Sequence, residues 1–168
     1  VFSEAAADGF SAIGISFGSG MTNVALAYNA IEAMAFSVAR GGDWIDSGAA
    51  RAVGATGSRV CGLKESGINI TSPQNRDEEA ISFYYRELVE YALKHTAVEF
   101  LKRGLGKMVT KPLPIIISGG TSTAEGFLPL FEEVLAGVKM PVEISSVRMA
   151  SEPFDAVARG LLVQTLQD

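Results

Sequence analysis

Three short runs near the start of the chain, in which apolar residues alternate with small or polar ones, constrain its fold most strongly. Ile13, Ile15 and Phe17 lie two residues apart, which is typical of a β-strand with one buried face. The same spacing recurs in Val24, Leu26 and Tyr28, and again in Met34, Phe36 and Val38. Because Gly18-Ser19-Gly20 and Asn29-Ala30 supply short turns between the runs, the sequence predicts an antiparallel meander of three strands.

Helix and strand patterns alternate in the rest of the chain. Acids in a first turn after Gly41-Gly42 predict a helix over 43–53, and the region 54–75 is interpreted as loops around a short helix at 59–65. Apolar periodicity predicts a long helix over 77–103, and a capping box from Ser122 to Glu125 predicts another that begins at Ser122. Residues 115–117 and 142–147 have the pattern of buried strands, and a last helix, capped by Ser151, is predicted over 152–166. The order predicts one α/β domain with a five-stranded mixed sheet. The last two strands are expected to run parallel to the first, with helices on both faces.

The composition limits the classes of protein to which the chain can belong. Its 168 residues are 48% hydrophobic, which is enough for one buried core, but no apolar run approaches the roughly 18 residues of a membrane span. Acidic residues outnumber basic ones by 19 to 14 without a basic cluster, which argues against a nucleic-acid partner. A single cysteine, Cys61, and a single histidine, His95, exclude a disulfide framework and a Cys/His metal site. These features predict a cytoplasmic protein.

Two glycine-rich turns, each directly after an apolar strand, are the candidate binding elements. The first is Gly18-Ser19-Gly20 with Met21 and Thr22, and the second is Gly119-Gly120 with Thr121 and Ser122. Glycine lets a phosphate or a sugar approach the backbone closely, and the N–H groups there can bind anions. Taken alone, each turn is more simply explained as an ordinary tight turn, because glycine is common wherever the backbone needs a positive φ.

Taken together and in order, these turns and the segments around them resemble the motifs of one ATPase superfamily. The run from Ile15 to Asn23, a hairpin, and then Gly41-Gly42-Asp43-Trp44-Ile45-Asp46 resemble the second phosphate motif of the actin, heat-shock-chaperone and sugar-kinase superfamily. The run from Ile115 to Ser122, followed by Phe127-Leu128-Pro129, resembles its adenosine motif. Residues 152–160 are similar to the helix that closes the nucleotide domain in the chaperones and bacterial actin homologues.

This resemblance implies a ribonuclease-H-like fold and the C-terminal half of a two-domain ATPase. ATP with Mg²⁺ would lie in the cleft between this half and an N-terminal half, whose phosphate motif has no counterpart here. Residues 1–10 would be a remnant of the linker between the halves, and residues 11–168 the actin-like C-terminal domain, so we expect a piece of a longer protein. Residues 18–22 would hold the β and γ phosphates, residues 119–122 would flank the ribose and base, and Lys64 would lie over the purine.

Two departures from the superfamily pattern lower the expected activity. Ser16 stands where an aspartate usually orients magnesium, and Asn23 stands where a second acid is common. A hydroxyl or an amide attracts a divalent cation much less than a carboxylate does. We therefore expect nucleotide binding with slow or no hydrolysis, and no hydrolysis by the chain alone. The alternatives are a scaffold domain that has lost nucleotide chemistry, and a filament-forming cytoskeletal protein, which would be a homo-oligomer.

Other conspicuous side chains are interpreted as structural. His95 lies within the long predicted helix without a second ligand nearby, and nothing in the sequence suggests a lowered pKa for Cys61. Asp43 and Asp46 fit the first turn of a helix, where the helix dipole favours acids. Trp44 is expected to pack that helix onto the hairpin.

Overall fold

The computed structural model describes residues 4–154, which form a five-stranded mixed sheet with α-helices. The strands are β1 (Ala12–Phe17), β2 (Thr22–Tyr28), β3 (Ile31–Val38), β4 (Leu113–Ser118) and β5 (Ile144–Met149). They lie in the order β3-β2-β1-β4-β5. The strands β1 to β3 form an antiparallel meander, and β4 and β5 run parallel to β1. The predicted α/β architecture and mixed sheet are therefore confirmed.

Side-chain caps mark the starts of two of the four helices described in residues 4–154. The helices are α1 (Gly42–Val53), α2 (Gly57–Glu65), α3 (Arg76–Lys102) and α4 (Phe127–Gly137). The Thr56 hydroxyl accepts a hydrogen bond from the Arg59 N–H at the start of α2, and the Asn75 side chain accepts one from the Glu78 N–H at the start of α3.

Within residues 4–154, no helix combines the length and the apolar character that crossing a membrane requires.

The main core lies on the face of the sheet that packs against these helices. β1 directs Ile13, Ile15 and Phe17 into this core, as their spacing predicts. The ring of Phe17 meets the ring of Phe127 in α4 edge-on, with centroids 5.1 Å apart. The opposite face carries a smaller apolar cluster, formed by Ala5, Ala12, Ile116 and Ala150. The two faces of the sheet therefore differ in the size of the side chains that they present.

The helix expected from Ser122 begins at Phe127 instead, so that boundary prediction is wrong. The Ser122 hydroxyl donates to the Gly119 carbonyl at 2.7 Å and does not cap a helix. Glu125, the other member of the expected capping box, accepts a hydrogen bond from Asn69 Nδ2 at 2.9 Å. Both side chains therefore form hydrogen bonds with groups other than the backbone N–H groups that a capping box would use.

The last predicted helix, over 152–166, lies outside the described residues except for its first turn. Residues 151–154 form a bend and a turn. Ser151, the expected cap, donates its hydroxyl to Glu4 Oε1 at 2.6 Å. The last helix, like the expectation of helices on both faces of the sheet, therefore stays a prediction.

Candidate functional site

The two glycine-rich turns emerge side by side at one edge of the sheet. We call residues 18–21 the first glycine turn and residues 119–122 the second glycine turn. β1 and β4 are parallel neighbours, and Ser16 lies opposite Ser118 in their register. Because the turns follow the same ends of two adjacent strands, they occupy neighbouring positions at the carboxyl edge of the sheet.

The Gly18 carbonyl is the point at which three elements meet. It accepts hydrogen bonds from the Gly42 N–H and from the Thr121 hydroxyl, both at 2.9 Å. The neighbouring Ser19 carbonyl accepts the Asp43 N–H, also at 2.9 Å. The first glycine turn is therefore bonded directly to the N-terminus of α1 and to the second glycine turn.

Close backbone contacts explain why two of these positions are glycine. A Cβ atom on Gly41 would lie 2.4 Å from the carbonyl oxygens of both Gly18 and Ser19. A Cβ atom on Gly119 would lie 2.3 Å from the Phe17 carbonyl oxygen, and Gly119 also has a φ of +93°. No side chain fits at such distances, so these glycines allow the first turn, α1 and the second turn to touch.

The tip of the first glycine turn offers backbone donors. Ser19, Gly20 and Met21 are exposed. Among the residues that the structure describes, the N–H groups of Ser19 and Gly20 donate to no partner. Two adjacent N–H groups on an exposed turn can receive an anion.

The hydroxyls of Thr22, Thr121 and Ser122 are engaged within the chain. Thr22 is fully buried and donates to the Arg40 carbonyl at 2.9 Å. Thr121 donates to Gly18, and the buried Ser122 donates to Gly119. A ligand could engage these hydroxyls only in exchange for those bonds, so what the turns offer directly is their backbone and the exposed Ser19 side chain.

Lys64 lies inside the site, where it joins α2 to α1. Its ammonium forms an ion pair with Asp46 Oδ1 at 2.7 Å and donates to the Gly42 carbonyl at 3.1 Å. The two charged side chains are only 13% and 12% exposed. A Cβ atom on Gly42 would lie 2.9 Å from the Thr121 hydroxyl and 3.3 Å from the Lys64 ammonium. Lys64, Gly42 and Thr121 thus share one narrow space beside the first glycine turn.

The basic side chains of Arg40 and Lys64 near the first glycine turn are already engaged within the chain. The Arg40 guanidinium stacks between the rings of Trp44 and Tyr91, at 4.6 Å and 3.7 Å from their centroids. The Lys64 ammonium is paired with Asp46. A phosphate at this turn would therefore be held chiefly by backbone dipoles, and its remaining charge calls for a cation from outside the described residues.

An uncharged polar row crosses the second face of the sheet near the same edge. Ser16 lies opposite Asn23 in β2 and opposite Ser118 in β4. The Asn23 carboxamide oxygen accepts the Ser37 hydroxyl at 2.6 Å. In residues 4–154 no group of three or more His, Cys, Asp or Glu residues could hold a metal ion. These uncharged residues therefore do not fit as the direct ligands of a magnesium ion.

Two ionisable groups near Asp46 hold their protons more tightly than usual. Burial, together with the nearby Asp46 charge, raises the pKa of the Tyr85 hydroxyl. Burial also raises the pKa of the Cys61 thiol, and the charges of Asp46 and Glu65 add to this effect. Neither group is an activated nucleophile, so the chemistry of the site rests on its turns.

Three residues of this region were absent from the predicted set of binding residues. Asp46, which the sequence suggests as a helix-start acid, is the partner of Lys64. Gly41 is the position at which α1 approaches the first glycine turn. Phe154 lies against Gly120. The Gly41-to-Asp46 motif was a usable signal for the first two, whereas no local pattern marks Phe154.

The segment ahead of β1 is fixed to the end of β5 by a polar cluster. Arg148 donates to the Glu4 carbonyl at 2.6 Å and to Asp8 Oδ2 at 3.0 Å. Ser151 donates its hydroxyl and its N–H to Glu4 Oε1, at 2.6 Å and 3.2 Å. Farther along the same loop, the Gly119 N–H donates to the Pro153 carbonyl at 2.8 Å. The segment expected to link two halves is therefore connected to the second glycine turn.

This cluster predicts a specific dependence of stability on pH. The Ser151 hydroxyl bond, with smaller contributions from the Ser151 N–H and Arg148, lowers the pKa of Glu4. The stabilisation is thus present above the usual glutamate pKa of about 4.5 and is lost as the pH falls through the lowered value. Glu4→Gln should reduce the free energy of unfolding at pH 7 by about 1 kcal/mol. Urea denaturation from pH 7 to pH 3 should show the two proteins converging.

The matched control for that measurement is Glu132→Gln on the exposed side of α4. Among the described residues Glu132 forms no ion pair. Its substitution should leave the pH profile unchanged. A constant difference between wild type and Glu4→Gln at every pH would contradict the role of the Glu4 carboxylate.

The chain matches a protein family and is similar to several solved structures. A family model described as Volactin matches residues 1–165, and a comparison with the curated proteins found no match. A solved structure of a non-polymerising MamK mutant bound to AMPPNP is similar, with a TM-score of 0.70 and 13% identity over 97% of this chain and 56% of that one. The ethanolamine utilization protein EutJ from Carboxydothermus hydrogenoformans has a TM-score of 0.61 and 19% identity, over 90% and 49% of the two chains.

MreB 5 of Spiroplasma citri bound to AMPPNP is also similar, with a TM-score of 0.64 and 12% identity over 95% of this chain and 54% of that one. The chain thus spans about half the length of the solved structures that it matches. These likenesses show an actin-like fold, which is the fold that the sequence resemblance implies.

Proposed function

Because the chain belongs to the Volactin family, we propose that it is the C-terminal, nucleotide-binding half-domain of an actin-like ATPase. ATP would lie between this half and a second half-domain of the same protein. The observation that carries the proposal is the junction at the Gly18 carbonyl, where the first glycine turn, the second glycine turn and the start of α1 are bonded together. This junction makes one continuous wall from two separate sequence motifs.

Each part of the wall has a distinct role in the proposed complex. The N–H groups of Ser19 and Gly20 bind the terminal phosphates, and the N-terminus of α1 behind them adds the positive end of its dipole. The second glycine turn lies beside the ribose and the base. Lys64 acts by holding α2 and α1 against the turn, through Asp46 and the Gly42 carbonyl.

Hydrolysis places demands that this wall does not meet. Cleavage of a phosphoanhydride requires water, cation and phosphate to be positioned together, with charge stabilisation at the γ-phosphoryl oxygens. Ser16 and Asn23 supply no negative charge for a magnesium ion, which would be held by the phosphates and by water. We therefore propose slow turnover in the complete protein and none in this half alone.

The ligands of two similar solved structures support the proposal that this chain binds a nucleotide. The similar MamK and MreB 5 structures are both described as bound to AMPPNP. In this chain the same fold places two glycine turns together and leaves exposed N–H groups on one of them.

Calorimetric titration of the full natural protein that contains this chain tests the proposal. ATP and ADP should bind with or without Mg²⁺, and AMP should bind more weakly because it has no phosphate that reaches the Ser19 and Gly20 N–H groups. Bound ATP should also raise the thermal midpoint, since a ligand that binds only the folded state stabilises it. Absence of both heat and thermal protection would sink the proposal.

The same titration separates the proposal from a scaffold function. The uncharged Ser16 and Asn23 favour a domain that keeps the architecture without nucleotide chemistry, and such a domain would give no heat with ATP. For partners, we propose the second half-domain and further copies of the protein. The description of the MamK relative as a non-polymerising mutant supports assembly, which sedimentation with and without nucleotide would detect.

A further inference from the structure

Phe154 is an exposed aromatic side chain beside the second glycine turn. It is 73% exposed, the most exposed large apolar side chain among the described residues. Its Cε1 atom lies 3.0 Å from the position that a Cβ atom on Gly120 would occupy. The neighbouring Pro153 carbonyl accepts the Gly119 N–H at 2.8 Å. The backbone next to Phe154 is therefore bonded to the second glycine turn.

The Phe154 ring lies against Gly120 and is largely open to solvent. Because Gly120 has no side chain, nothing from the turn covers the adjacent edge of the ring, and any larger residue would press against it. Gly120 is itself exposed. A ring left open to water in this way gains stability when a planar apolar group covers it.

The Phe154 ring is connected to the first glycine turn through Thr121. Thr121, the residue after Gly120, donates to the Gly18 carbonyl in the first glycine turn. Moving along the wall, the exposed N–H groups of Ser19 and Gly20 thus come first, then Thr121, then Gly120 with the Phe154 ring. An anion at one end and a planar group at the other would be bridged by the sugar.

We propose that Phe154 is the surface on which the base of the bound nucleotide stacks, an inference that rests on the proposed function. The ring has no hydrogen-bond donor or acceptor, so it recognises the planarity and area of a base and not its edge. Purines overlap a ring more than pyrimidines do. Phe154 therefore favours purine nucleotides as a class and contributes little to the choice between adenine and guanine.

Phe154→Ala, studied in the full natural protein with ADP and inorganic tripolyphosphate as probes, tests this assignment. The dissociation constant for ADP should rise roughly 5- to 100-fold, the range that loss of a base–aromatic stack produces. The dissociation constant for tripolyphosphate should stay within about twofold of wild type, because that ligand has no base. Phe154→Trp should restore ADP binding, and ADP should quench the emission of the added indole while tripolyphosphate should not.

Phe10→Ala is the matched control, since Phe10 is 44% exposed and precedes β1 at the opposite edge of the sheet. It should bind both probes like wild type. Unchanged ADP affinity in Phe154→Ala would overturn the stacking role alone, and so would an equal loss of both probes, which indicates a deformed turn. If wild type binds neither probe, the proposed function fails with it.

Discussion

Replacing Gly41 with alanine should lower the free energy of unfolding by about 3 kcal/mol or more, at the upper end of what overpacking costs. The added Cβ would stand 2.4 Å from the carbonyl oxygens of Gly18 and Ser19, which are backbone atoms and cannot rotate away. The backbone angle of Gly41, φ −157°, is extended and open to alanine, so the effect is steric. Relief of the clash requires α1 to separate from the first glycine turn. Nucleotide binding should be lost with it.

Gly20→Ala provides a control within the same turn. A Cβ atom on Gly20 would have no neighbour within 4 Å, and the change should alter stability by no more than about 0.5 kcal/mol. Urea denaturation of the two variants and of wild type measures both effects. A Gly41→Ala protein as stable as Gly20→Ala would show that the contact between α1 and the turn is looser than the structure indicates.

The sheet could be predicted because the residue patterns that specify its strands and turns lie close together in the sequence. The alternation of Ile13, Ile15 and Phe17 fixes the buried face of β1, and short turns leave adjacent antiparallel strands as the simple solution. The all-apolar strand at 115–117 indicates a buried parallel partner in the same way. These patterns need no knowledge of distant contacts.

The start of α4 could not be predicted, because its determinants are distant in sequence. Ser122 and Glu125 have the spacing of a capping box, but Glu125 bonds to Asn69 and Ser122 bonds to Gly119. A backbone bond from Ile70 to the Glu125 carbonyl adds to this competition. Long-range partners therefore outweighed a local capping preference worth about 1 kcal/mol.

The candidate site was only partly accessible from sequence for the same reason. Glycine turns after apolar strands are visible as motifs, and the parallel pairing of β1 and β4 brings them together. The partner of Lys64 was not visible, because an acid in the first turn of a helix has an adequate local explanation. The pairing depends on how α1 and α2 pack, which no spacing rule contains.

Lys64→Met should destabilise the chain by about 3–5 kcal/mol, because it leaves the Asp46 carboxylate buried without its counter-ion. Both side chains are nearly nine-tenths buried. Within residues 4–154, the Lys64 ammonium is the only group that compensates the buried Asp46 Oδ1 atom. Combining Lys64→Met with Asp46→Leu removes both charges and should recover most of the lost stability.

Lys94→Met is the matched control for a lysine in an ion pair. Lys94 pairs with Glu90 on the exposed side of α3, where the two side chains are 63% and 37% exposed. Its loss should cost about 0.3–0.5 kcal/mol, the usual value for such a helix pair. Equal effects of the two lysine substitutions would contradict the buried role of the Lys64 pair.

The nucleotide affinities of wild type, Lys64→Met and the double variant distinguish two roles for Lys64: it holds the helices in place, or it binds the nucleotide directly. If Lys64 acts by holding α1 and α2 against the first glycine turn, affinity should fall in Lys64→Met and return with stability in the double variant. If Lys64 instead bonds directly to the nucleotide, the double variant should be stable but should bind nucleotide weakly. Because both short contacts of the ammonium lie within the chain, we expect affinity to return. A stable double variant without nucleotide binding would instead make Lys64 the residue that contacts the purine.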